Sequence, residues 1–216
     1  MRADIVIAAR GGPAAKSRCA AALSLEGRAR LTEAMLFDML HALAGQGNDW
    51  SVHVVTPTGA LVAIAAAQGA RVIAEGAPRG LNAALTLART NVAAPHGRPV
   101  LFLPGDLPLL DVVNVRHVLS AWTPGRAVLV PTRDGGTGAV VLGGHDSFEF
   151  RFGSASLAAH VGAAREAGLT PSVLEGGTLA LDLDLPEDAA RAALARPHSL
   201  TARALRTCTA IRGAAA

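Results

Sequence analysis

Between Ile5 and Val130, short apolar, β-rich runs alternate with segments of helical periodicity, and this alternation limits the chain to a layered α/β fold. The β-rich runs are residues 5–9, 52–56, 71–74, 100–103 and 127–130. Residues 28–44, 59–68, 82–91 and 112–122 lie between them and repeat their apolar positions with helical spacing. Strands separated by helices pair in parallel and bury both faces, so the expected core is Rossmann-like, with helices on either side of a mainly parallel sheet. In such a sheet ligands bind beyond the carboxyl ends of the strands, and the loops that follow each run are where chemistry is to be sought.

After Val130 the rhythm changes. Residues 138–142, 149–152 and 178–183 look like short strands, and 156–167 and 186–195 like helices. This stretch is expected to be a small β/α insertion that shapes an acceptor pocket. The 216 residues suit one domain, 1–196, followed by a basic, Ala-rich tail, 197–216, with no assigned structure. Aromatic residues are only 3% of the chain, so the core must be built from Leu, Val, Ile and Ala in close helix–sheet contact.

Composition narrows the function. No apolar run reaches the roughly 20 residues that span a bilayer, and nothing resembling a signal peptide precedes the first strand. A cytoplasmic protein without membrane partners is expected. The formal charge is +3, with the basic groups spread along the chain and few aromatics to stack on bases, which argues against nucleic acid and favours small anionic ligands. Cys19 and Cys208 stand far apart and form no metal-binding or disulfide pattern. A homodimer is among the assemblies such a chain allows.

Five segments carry candidate chemistry. RGGPAAKSR, residues 10–18, follows the first strand. Its glycines let the backbone approach a ligand, and Arg10, Lys16 and Arg18 could clamp a triphosphate. Lys16 is the single lysine in a chain whose other basic residues are all Arg, which hints at a specific task for a compact ammonium. The loop is no Walker A motif, and as a solvated turn it would need no ligand. LFLPGDLP places Asp106 at the end of an apolar strand, where a carboxylate could ligate Mg2+, although Asp beside Pro and Gly is also a common turn residue.

LDLDLPED holds Asp182 and Asp184. In a strand these would share one face, with Leu181, Leu183 and Leu185 on the other, and two carboxylates so placed call for a cation. A helix start, with Asp184 as N-cap and Glu187 three residues on, explains Asp184 but not Asp182. PTRDGGTG, residues 131–138, could expose backbone N–H groups to an anion or simply turn a hairpin. FGSASLAAH puts Gly153, Ser154 and Ser156 before a helix, a place suited to phosphate. His160 lies one helical turn past Ser156 and could reach the same phosphate or merely pack.

Taken in order, AAKSR, RGLNAAL, LPGDLPLL, DGGTG, FGSASLAAH and LDLDLPED resemble the guanylyltransferases of deazaflavin coenzyme F(420) biosynthesis, over about residues 5–194. The resemblance implies a Rossmann-like, three-layer nucleotidyltransferase fold related to the enzymes that attach guanosine to molybdopterin. The implied reaction joins GTP to 2-phospho-L-lactate, phosphoenolpyruvate or 3-phospho-D-glycerate with release of pyrophosphate. It further implies that Asp106, Asp182 and Asp184 hold Mg2+, expected as two ions. Lys16 and Arg18 would bind triphosphate, and Gly80, Leu81 and Asn82 would lie near the base. Thr137, Gly138 and the segment from Gly153 to Ser156 would hold the acceptor. Members usually carry Lys at Arg10, Asn at Gly138 and Gly at Ala155, so the acceptor side departs from the pattern. A molybdopterin guanylyl- or cytidylyltransferase, a sugar-nucleotide enzyme of the same fold, and a nucleotide-binding regulator without turnover are the alternatives.

Overall fold

The computed structural model describes residues 2–11, 16–44, 49–57, 59–92 and 97–213, with the backbone alone at 186 and 208–213. Seven strands form one sheet: Ala3–Ala8 (β1), Trp50–Thr56 (β2), Arg71–Ala74 (β3), Pro99–Pro104 (β4), Arg126–Pro131 (β5), Thr137–Gly143 (β6) and Thr170–Val173 (β7). Their order is β3-β2-β1-β4-β6-β5-β7. Strand β6 pairs antiparallel with both β4 and β5, and every other pairing is parallel. The helices are Leu25–Leu43 (α1), Gly59–Ala67 (α2), Leu81–Asn91 (α3), Val112–Ser120 (α4), Ser156–Glu166 (α5), Pro186–Ala195 (α6) and Leu200–Gly213 (α7).

Side-chain alternation along β1 builds the layers. Ile5 and Ile7 join Leu36 and Met39 of α1, Leu61 of α2 and Val115 of α4 in one cluster. Val6 and Ala8 join Leu85 of α3 and Ala163 of α5 on the opposite face. Both faces of β1, β4 and β6 are therefore buried, which is why these strands read as continuous apolar runs. None of the described helices is long and apolar enough to cross a membrane.

The carboxyl ends of β1 and β4 meet closely at Gly105. A Cβ there would lie 2.7 Å from Ala9 Cα, and Gly105 N–H donates to Ala8 O at 2.9 Å. Any larger residue would drive the two strand ends apart, so Gly105 is what brings Asp106 beside the loop that begins at Arg10.

Two expectations are corrected. Residues 149–152 form no strand: β6 already has β4 and β5 as neighbours, so the segment has no ladder partner there. Its alternation instead serves a ring cluster in which Phe150 packs 4.9 Å from Phe102 and 5.5 Å from Phe148. Residues 178–183 are not a strand either. Gly177–Ala180 makes a 3-10 turn, the chain then runs without ladder pairing, and the last place beside β5 goes to β7. Beyond Pro197, α7 packs on α1 and α6, with the Asp38 carboxylate of α1 accepting from Leu200 N at 3.1 Å and Thr201 N at 2.8 Å. Asp38 thus caps α7 from another helix, a long-range pairing that local sequence does not announce.

Candidate functional site

At the carboxyl edge of the sheet a cleft of about 330 Å3 is lined by Arg10, Lys16, Arg18, Leu81, Asp106 and Asp184, among others. The loop after β1, the loop after β4, the start of α3 and the segment before α6 each contribute, as the topology requires. Residues 12–15 of the first loop lie outside the described residues.

Lys16 is the hub. Its backbone is left-handed, with φ 50° and ψ 41°, an uncommon state for a residue with a Cβ. Its ammonium donates to Asp106 Oδ2 at 2.6 Å and to Asp184 Oδ1 at 3.1 Å, with only 9% of the side chain exposed. Burial works against the charged form, but the charges and hydrogen bonds of Asp106 and then Asp184 outweigh it and hold the pKa above the ordinary lysine value. Arg18 donates to the other oxygen of Asp184 at 2.8 Å and is largely exposed. Arg10 is exposed and makes no ion pair among the described residues, leaving its guanidinium available to an anion in the cleft.

Three contacts place the acidic segment. Leu183 N–H donates to Asp106 O at 3.0 Å, tying the two acidic stretches together through the backbone. The preceding 3-10 turn is anchored by Thr178, which donates to Asp111 Oδ2 at 3.0 Å, and it presses so closely on β6 that a Cβ at Gly138 would lie 1.9 Å from Leu179 O. Of the three leucines expected on one face, only Leu183 is buried, and Leu185 is exposed. The helix-start explanation of Asp184 also fails, because Leu185 is the N-cap of α6 and Asp188 accepts from the N–H groups of Leu185 and Asp184.

Asp182 carries the electrostatic tension. Burial, then the nearby charges of Asp106 and Asp184, push its carboxyl up to about 6. Asp106 Oδ1 is buried without a hydrogen-bond partner. Among the described residues no three His, Cys, Asp or Glu side chains stand close enough to hold a metal by themselves. The donor set nevertheless suits Mg2+, which takes hard oxygen ligands and is commonly bound through one or two carboxylates plus substrate phosphates rather than in a protein cage.

Of the residues expected to hold an acceptor, Thr137, Ser156 and His160 are hydrogen-bonded together, and none of the expected set lines this cleft. Thr137 opens β6, and Ser156 opens α5 after Ala155, which adopts φ 52°. His160 is fully buried and bonded to Thr137 and to the Arg151 backbone rather than exposed to a ligand. Gly153 and Ser154 are exposed at the bend before α5. Gly138 is fixed by its contact with Leu179, so its missing side chain serves packing of the acidic segment. Gly80 and Leu81 begin α3 at the cleft, but the Asn82 amide is committed to the Phe152 backbone, donating to its O at 3.1 Å and accepting from its N at 2.8 Å. Asn82 thus ties the start of α3 to the segment that leads into α5.

Sequence reading passed over Thr32 and Met35, which line the cleft from α1. Their only signal was a threonine on the apolar face of a helix.

The family model described as "Guanylyl transferase CofC like" matches residues 3–206. The chain is 48% identical over 196 residues to a 3-phospho-D-glycerate guanylyltransferase of Phenylobacterium zucineum, covering 88% of this chain and 89% of that one. It is 37% identical over 179 residues to a phosphoenolpyruvate guanylyltransferase of Rubrobacter xylanophilus, covering 82% and 86%. In fold it is similar to a nucleotidyl transferase of Methanothermobacter, with TM-score 0.61 at 19% identity over 96% and 99% of the chains. A 4-diphosphocytidyl-2C-methyl-D-erythritol synthase of Anaerococcus prevotii is likewise similar, with TM-score 0.61 at 11% identity over 90% and 98%. With its cleft at the carboxyl edge of a mostly parallel sheet and a family match spanning nearly its whole length, the chain belongs to the CofC-like guanylyltransferases.

Proposed function

We propose that this protein transfers GMP from GTP to a three-carbon phosphorylated acid in deazaflavin coenzyme biosynthesis, with 3-phospho-D-glycerate as the first candidate acceptor. The observation that carries the reading is the convergence of Lys16, Asp106 and Asp184 in the cleft. The relative with 48% identity favours 3-phospho-D-glycerate over phosphoenolpyruvate and 2-phospho-L-lactate, the acceptors in the names of relatives at 37% and 33%.

An acceptor phosphate oxygen would attack the α-phosphorus of GTP in line, forming the new P–O bond as the bond to the bridging oxygen of pyrophosphate breaks. That nucleophile is already ionised at neutral pH, so no general base is required. Arg10 and Arg18 would steady the triphosphate and the departing pyrophosphate by charge, and Lys16 would add its ammonium between the acidic residues and the phosphates. Mg2+ bound through Asp106, Asp182 and Asp184 would supply charge neutralisation between two anionic substrates. Thr137, Ser156 and the bend at Gly153 and Ser154 would receive the acceptor.

The test is an acceptor screen with GTP, reading product mass. A product equal to the phospho-acid plus GMP supports the reading. CMP transfer, or GTP binding with no product from any acceptor, would contradict it.

A further inference from the structure

Thr137, Ser156 and His160 form a hydrogen-bond chain whose direction the backbone fixes. Arg151 N–H donates to His160 Nε2 at 2.9 Å. A ring nitrogen that accepts carries no proton, so the hydrogen of the neutral imidazole sits on Nδ1. Nδ1 lies 2.9 Å from Thr137 Oγ1 and must donate to it. Thr137 Oγ1 is also 3.2 Å from Ser156 Oγ.

Two hydroxyls bring two protons. One lies between them, whichever donates, and the imidazole N–H already fills an acceptor position on Thr137. One O–H proton is left over, and among the described residues no carbonyl, carboxylate or other acceptor takes it. Thr137 is 6% and Ser156 1% exposed, so an unused donor here would be costly.

We propose that His160 is a positioning residue for the acceptor, a neutral Nδ1–H imidazole that orders the Thr137–Ser156 pair so that its one spare O–H is donated to an anionic oxygen of the phosphorylated acid. The proposal rests on the reading that Thr137 and Ser156 belong to the acceptor site. It accounts for a buried histidine that touches no open space. It also gives the subsite a polarity: the spare O–H calls for a carboxylate or phosphate oxygen, and the imidazole strengthens that donation through the chain.

The surroundings keep the ring neutral. The Phe148 and Phe152 rings lie 5.6 and 4.7 Å away, and Asn82 across from this segment is an uncharged amide. The charged group that acts on the ring is the Arg151 guanidinium, itself paired with Glu149 and Glu166. Burial, then this positive charge, lower the imidazole pKa to about 4.

The test combines spectroscopy with kinetics. In 15N-labelled protein, the His160 ring should show a protonated Nδ1 and a bare Nε2 at neutral pH, with no titration near 6.5. An Nε2–H tautomer, or a ring that protonates near 6.5, would overturn the proposal, and this readout stands whether or not the expected acceptor is the right one. With a working acceptor, His160→Phe and Thr137→Val should each raise its KM about tenfold, as loss of one hydrogen bond to a charged group does, and leave the KM for GTP within about twofold. The double variant should be no worse than Thr137→Val alone. His160→Asn, whose amide N–H can stand where Nδ1–H stood, should recover most of the loss and guards against a misfolded Phe variant. Multiplicative effects in the double variant, or equal losses for both substrates, would make His160 a packing residue only.

Discussion

Leu183 donates its backbone N–H to the carbonyl of Asp106 at 3.0 Å, and this one bond sets the two acidic stretches of the cleft side by side. The Leu183 side chain is buried with Cys19, Leu31 and Met35, so Asp182 and Asp184 flank an anchored residue. The acidic pair is therefore held by a plug and a backbone bond rather than by a strand.

The same cleft gives opposite stability effects for neighbouring substitutions. Lys16→Met removes the ammonium from Asp106 and Asp184, and it should destabilise the metal-free protein by about 1–2 kcal/mol, at the low end because Asp184 is part-exposed. Asp182→Asn removes a carboxylate crowded by two others and should raise the metal-free melting temperature by roughly 2–4 °C. Urea and thermal unfolding at pH 7.5 without divalent ions check both signs.

Ala155 carries strain that glycine would not. At φ 52° a Cβ costs on the order of 1 kcal/mol, while glycine gives back part of that gain as unfolded-state entropy. Ala155→Gly should therefore stabilise the protein only slightly, by up to about 0.5 kcal/mol in urea unfolding.

Gly138 allows no side chain. Gly138→Ala would set a Cβ against the Leu179 carbonyl, so the 3-10 turn must move and take Asp182 with it. The expected cost is about 1–3 kcal/mol of stability, together with a fall in kcat larger than any change in the KM for GTP.

His160 makes stability depend on pH in a defined window. Its folded-state pKa is about 4 against an ordinary 6.5, so the unfolded chain takes up a proton that the folded one refuses as pH falls between these values. Stability from this residue is complete above about pH 6.5, is lost on descending to about 4 and is level below that. The full interval corresponds to roughly 3 kcal/mol. Denaturation curves from pH 7 to 4 should show that slope in the wild type and a flatter one in His160→Asn.

Much of this was legible in the sequence because it rests on local pattern. The apolar runs of β1 and β4 and the acids just beyond strand ends identify the layers and the cleft edge. What was not legible depends on long-range geometry. Nothing near residues 149–152 says that β6 already has two neighbours, and nothing near Leu200 names Asp38 as its cap. The aspartate spacing suggested strand alternation, whereas the segment is held by the buried Leu183 side chain and its bond to the Asp106 carbonyl. Nothing near Asn82 announces that its amide pairs with the Phe152 backbone seventy residues away.

The most direct measurement is pyrophosphate release from GTP and 3-phospho-D-glycerate, with and without Mg2+, for wild type and Asp182→Asn. The account predicts release by the wild type only when both substrates and Mg2+ are present, and a rate about 100-fold lower or less in Asp182→Asn. Equal rates in the two proteins, or undiminished release in the presence of a chelator, would contradict it.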